Sequence, residues 1–331
     1  MSMINTYSII LMKISSELTL YIDYTTLIFG IIGCICNLLI YTSHQIRQSS
    51  TIFYLISTTI SQLLTILFCV ITRLTVDRST NAASANNILN QSSIFCKLRY
   101  YFVVILPTIS SYFMVLITFD RYITTSNNIR IHTWNQIKFA KCLSIIMILI
   151  IFIFSIHILI YYDTYDNLCQ ISPGNIYTFI FAAYLIIFVV FLPHILMLFF
   201  TIIAVISLKR FRQRIMPEVN EIHILRYRKR QYFELKLIKI IIVQVILSIL
   251  LSLLRLGSYS YNIISKSISI VSISDLVAIS FSITICGSLY FLTYALPFYS
   301  SIFISKYFRH IFFRRILFFY QYCWRKLIRR N

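Results

Sequence analysis

The chain has 331 residues, of which 59% are hydrophobic and only 12% charged. Soluble domains carry about 25% charged residues, so this composition excludes an ordinary soluble domain and points to one integral membrane bundle. The net charge of +20 raises two readings, nucleic acid and anionic lipid, and the placement of the charges favours lipid.

Charge-free or charge-poor runs fall at about 24–46, 50–72, 100–119, 142–162, 176–208, 235–257 and 276–305. About 20 apolar residues cross a bilayer as a helix. In lipid every backbone polar group must be paired internally, so such runs read as helices. The sixth has the shortest charge-free stretch. Only Ile240–Leu254 is free of charge there, and Lys236 and Lys239 extend it by snorkelling to the interface. The expected fold is an all-α membrane protein, a seven-transmembrane helix bundle with a C-terminal amphipathic eighth helix. Residues 1–23 are expected as a short extracellular N-terminus, 24–305 as the bundle, and 306–331 as a cytoplasmic amphipathic helix and tail. No cleavable leader is expected in 1–23, and the first helix acts as its own insertion signal.

Lys and Arg set the orientation. The segment between spans five and six is dense in them, from Lys209 and Arg210 to Arg228, Lys229 and Arg230. The tail carries Lys306, Arg309, Arg314, Arg315, Arg325, Lys326, Arg329 and Arg330. Both lie on the side of Arg121 and Arg130, which is therefore cytoplasmic, with the N-terminus outside. Asn90-Gln91-Ser92, a glycosylation sequon, then falls on the outer side.

In chain order, span one carries Asn37, whose amide in an apolar helix wants a partner on a neighbour. Span two reads Ser61-Gln62-Leu63-Leu64. Span three opens with Cys96, holds Pro107 in its outer half, where a proline bends the helix, and closes on Asp120-Arg121-Tyr122. His157 is the marked polar residue of span four and reads as a packing histidine. Span five holds Pro193. Span seven ends Ala295-Leu296-Pro297-Phe298-Tyr299. Beyond it, aromatic and basic residues alternate at helical spacing from Lys306 to Arg315, as in an interfacial helix. Cys323 just after it is a candidate palmitoylation site.

A rim cysteine, a charge-free span and a closing Asp-Arg-Tyr, with prolines in spans five and seven, resemble the rhodopsin-like (class A) G-protein-coupled receptors. The resemblance implies a receptor for an extracellular ligand that activates a heterotrimeric G protein at the plasma membrane. It implies that Cys96 pairs with a loop cysteine. Six cysteines fall in spans or on the inner side, where disulfides are disfavoured; Cys169 is the one left outside with Cys96. It makes Asp120, Arg121 and Tyr122 the cytoplasmic switch, with Ile129 as the apolar residue that docks the G protein, after Asn128 in place of the family's proline. Glu234 takes the place of an acid that pairs with Arg121 at rest; the plainer reading is an acid among nearby Lys and Arg. Asn37, Gln62, Pro193, Pro297 and Tyr299 take the places of the family's structural switch residues.

The departures carry information of their own. Gln62 replaces the aspartate of the family's sodium site, so that site is expected to be weak or absent, although Ser110 matches another member of it. Val103 replaces the aspartate of amine receptors and argues against an amine ligand. Tyr290 stands where opsins have the lysine that holds retinal. No cofactor is expected. Thr201, Leu254 and Leu296 replace a tyrosine, the span-six proline and the span-seven asparagine of the activation machinery. Arg73, Arg99 and Arg255 lie near outer helix ends. Pairing with Asp77 or Asp275, or snorkelling, is favoured for Arg73, and facing the cavity for Arg255, which would suit an anionic group. The expected ligand cavity is Arg99, Val103, Pro107, Arg255 and Tyr290, and the ligand is peptide-like or another non-amine. The alternative is a transporter or channel subunit, or a non-signalling scaffold, but no internal repeat is visible. An enzyme is disfavoured, since no metal cluster, paired intramembrane carboxylates or phosphate loop is present.

Overall fold

The computed structural model describes residues 2–42, 50–75, 92–125, 137–165, 168–172, 176–214, 221–267, 273–306 and 308–317. Side chains at 2–9, 208–214, 221–235, 263–267, 273–274 and 276 are not among those described. Asn90, Ile129 and Cys323, and the side chain of Glu234, therefore lie outside the described residues.

Helix α1 is Ser2–Tyr41. Helix α2 is Ser50–Thr65, continued by a π-helical turn, Ile66–Val70, and by helix over 71–75. Helix α3 is Ser93–Thr125. Helix α4 is Ile137–Phe154, extended by His157–Tyr161. Strands β1 (Tyr162–Tyr165) and β2 (Leu168–Ile171) form an antiparallel hairpin with Thr164 opposite Cys169. Helix α5 runs as Tyr177–Tyr184, a π-helical segment Leu185–Phe191, and Leu192–Arg214. Helix α6 is Glu221–Ser267 and α7 is Ile273–Ile304. A short helix, α8, covers 308–317.

Seven of these helices are long and apolar enough to span a membrane, from Ile10–Tyr41 to Val277–Ile304. They are apolar on nearly every side, with Ile, Leu and Phe exposed along α1, α4 and α5, as lipid-facing helices must be. α3 is the exception. It is the most enclosed span, packing on α2 and α5.

α1 begins far earlier than the charge pattern implied. Within the expected extracellular stretch, residues 2–23 are helix, continuous with the first span. Lys13, Glu17 and Asp23 suggested a loop, but Asp23 is fully buried and its charge is met by Arg73 at 3.2 Å. α1 then runs against α7. Gly33 makes the close approach possible: a Cβ there would sit 3.3 Å from the Ala295 carbonyl oxygen and from Phe298 Cβ. At this same end of α7, α8 folds back on the bundle, with the Phe312 ring edge-on to Phe298 and Phe308 buried against Tyr41.

Candidate functional site

Three levels of the bundle hold polar groups, and α3 passes through all of them. At its C-terminal end Asp120 and Arg121 are both buried. The start of α2 delivers two hydroxyls to the carboxylate. Ser50 Oγ donates to Asp120 Oδ1 at 2.5 Å, and Thr51 Oγ1 donates to Oδ2. Arg121 Nη2 donates to the same Oδ2 at 3.2 Å. A buried charge needs both a counter-charge and hydrogen bonds, and this one has both. Tyr122 turns the other way and stacks on Phe200 of α5, ring centroids 6.1 Å apart.

At the N-terminal end of α3 Cys96 and Cys169 are disulfide-bonded, Cα atoms 5.6 Å apart. The bond fixes the hairpin to the rim of α3. Lys97 and Asp163 pair at 3.2 Å beside it, and Tyr100 stacks on Tyr162 at 4.2 Å.

A match to the 7 transmembrane receptor (rhodopsin family) model covers residues 33–292. The chain belongs to the rhodopsin family of seven-transmembrane receptors. No curated protein matches it. Members of this family are multi-pass signalling receptors, not enzymes.

Midway through this receptor's membrane span lies a cavity of about 30 Å³, room for one or two waters. Gln62, Ser110, Gln244, Ser248, Leu296 and Pro297 are among its walls. Gln62 and Ser110 do converge there. The donors are amides and hydroxyls with no carboxylate among the lining residues, and that set does not fit the family's sodium ion, whose charge an acid must meet. Gln244 Nε2 donates to the Pro297 carbonyl at 3.3 Å, tying α6 to α7.

Above the cavity, Arg255 lies 4.3 Å over the Tyr290 ring and 5.6 Å from Phe291. Tyr294 donates to the Tyr290 hydroxyl at 2.7 Å. Val103 packs against this cluster, and Pro107 is buried within α3. Arg99 makes its ring contact with Tyr100 of its own helix, at 5.9 Å. So Arg255 and Tyr290 meet, and Val103 packs against the cluster that holds Tyr290.

Several expectations need correction. Arg73 pairs with Asp23, a partner the sequence did not suggest. It also donates to the Thr284 carbonyl at 3.2 Å and to Ser288 Oγ at 2.8 Å. Asp77 lies outside the described residues. Asn37 is buried, but its Oδ1 reaches no donor; the α2 hydroxyls of Thr58, Thr59 and Thr65 turn back onto carbonyls of their own helix. Tyr299 points away from the interior and donates to the Phe29 carbonyl of α1 at 3.0 Å. His157 is the packing residue expected, bonded to the Tyr177 hydroxyl. Sequence reasoning missed Asp23 and His194. His194 had a readable signal, an imidazole directly after Pro193 inside a charge-free run. Asp23 had none, because its partner is 50 residues away.

Proposed function

We propose that this receptor sits in the plasma membrane, N-terminus outside and C-terminus in the cytoplasm, binds an extracellular non-amine, peptide-like ligand and activates a heterotrimeric G protein. The observation that carries the proposal is the buried Asp120–Arg121 pair at the inner end of α3, held shut by Ser50 and Thr51. A charged pair kept in the dry interior at the membrane face is a restraint that a second arrangement can release.

In the active arrangement the inner end of α6 moves outward and Arg121 turns to the G protein. Glu234 of α6 supplies a second restraint on Arg121, and Ile129 docks the G protein. The ligand shifts the population between the two arrangements by binding them unequally. Val103 offers no anion to an amine. Arg255, poised over Tyr290, favours a ligand with an acidic group.

The test is nucleotide exchange on a panel of G proteins in membranes bearing the wild-type chain, Glu234→Ala or Arg121→Ala, without added ligand. Glu234→Ala is expected to raise exchange and Arg121→Ala to abolish it. Silence from all three with verified surface expression would reject coupling and favour the transporter or scaffold reading.

A further inference from the structure

α6 has no proline anywhere in Glu221–Ser267. Without a proline it has no proline hinge, so an outward swing depends on how it lets go of its neighbours. What holds it laterally decides when it moves.

Polar bonds to both neighbours hold it at mid-membrane depth. On α7, Gln244 Nε2 donates to the Pro297 carbonyl and reaches Ser301 Oγ at 3.5 Å. A further bond reaches α5. Its origin is the π-helical segment Leu185–Phe191, where the Leu192 N–H bonds the Ile187 carbonyl. Five residues beyond Phe188 stands Pro193, which has no N–H to give. The Phe188 carbonyl is instead taken by the Tyr112 hydroxyl of α3, at 3.0 Å. The next residue after the proline, His194, is buried and bonds the Val190 carbonyl through Nδ1 at 2.6 Å. A carbonyl only accepts, so Nδ1 carries the proton in this network. Nε2 is then the acceptor, and Ser248 Oγ of α6 donates to it at 3.0 Å.

We propose that His194 is the latch of α6: its bond with Ser248 holds α6 on α5 in the resting receptor, with Gln244–Pro297 as the counterpart on α7, and its rupture frees the helix to swing. The proposal rests on the receptor reading for the motion of α6. On the α6 side release strands no polar group, since Ser248 lines the central cavity, where water can replace the imidazole; the His194 Nε2 gives up its partner. The π segment and Pro193 serve the latch by bending the backbone so that the ring meets both partners.

The test measures α6 directly and needs no G protein. Spin labels at Lys141→Cys on α4 and Lys239→Cys on α6, both exposed, report their separation by electron–electron resonance in lipid nanodiscs, with Cys142→Ser and Cys323→Ser as background. His194→Phe keeps the ring and removes both bonds; Ser248→Ala removes one hydroxyl. Each is expected to raise the long-to-short distance ratio about threefold, the equivalent of ~0.6 kcal/mol for an interhelical bond in lipid. The double variant should go no further than either single one. An unchanged distribution in Ser248→Ala, or effects of the two that multiply independently, overturns the latch. Should His194→Phe fail to fold, Ser248→Ala decides alone. A distance change without nucleotide exchange upholds the latch and rejects coupling; exchange without a distance change does the reverse.

Discussion

Arg73 reaches two neighbouring helices with one guanidinium. Nε meets Asp23 of α1, and Nη2 meets Thr284 and Ser288 of α7. Removing one partner of a buried pair leaves an uncompensated charge and costs about 3–5 kcal/mol, whereas replacing both is often neutral. Arg73→Met should therefore lower the thermal midpoint of the detergent-solubilised protein sharply, and Asp23→Asn with Arg73→Met should regain most of it. Equal losses in both would show that Asp23 is not the group at stake. Gln62 supports a second residue-scale prediction. The thermal midpoint should be the same in sodium chloride and choline chloride for wild type. Gln62→Asp, which places a carboxylate beside Ser110, should make it sodium-dependent, and a sodium effect in wild type would contradict the donor-set argument.

Glycines separate the helices by how closely they pack. A Cβ on Gly33 of α1 would press on the α7 backbone at 3.3 Å, while one on Gly257 of α6 would meet nothing within 4 Å. Gly→Ala in an open helix position gains about 0.5–1 kcal/mol of backbone entropy. Gly257→Ala should thus raise the thermal midpoint and Gly33→Ala lower it, from the same chemical change. The hairpin gives an element-scale prediction of another kind. The Ser93 hydroxyl, the Thr164 N–H and Lys97 hold the Asp163 carboxyl down to about 2 from 3.8. A folded-state value below the unfolded one means the stabilisation is complete above about pH 4 and is lost as pH falls towards 2. The stability difference between wild type and Asp163→Asn should be constant from pH 7 to 5 and shrink below pH 4. A difference that grew on acidification would refute the assignment.

Across the whole molecule, what the residues disclosed in advance follows one rule. Features written in contiguous residues were legible: seven apolar runs and the Cys96-to-Arg121 span of α3. Features made by meeting across space were not. Asp23 looked like a loop acid because Arg73 lies two helix lengths away in sequence. The bond from His194 to Ser248 joins residues 54 apart, and Tyr299 found α1 because Gly33 lets that helix come close. The Cys96–Cys169 bond has a consequence in time. It joins residues 73 apart, with all of α4 between them. A chain still emerging from the ribosome exposes Cys96 at the membrane surface as a lone thiol until α4 has been threaded and Cys169 delivered to the same side. Oxidation of that pair is therefore a clock for biogenesis: it marks the moment when the first four spans have taken their places.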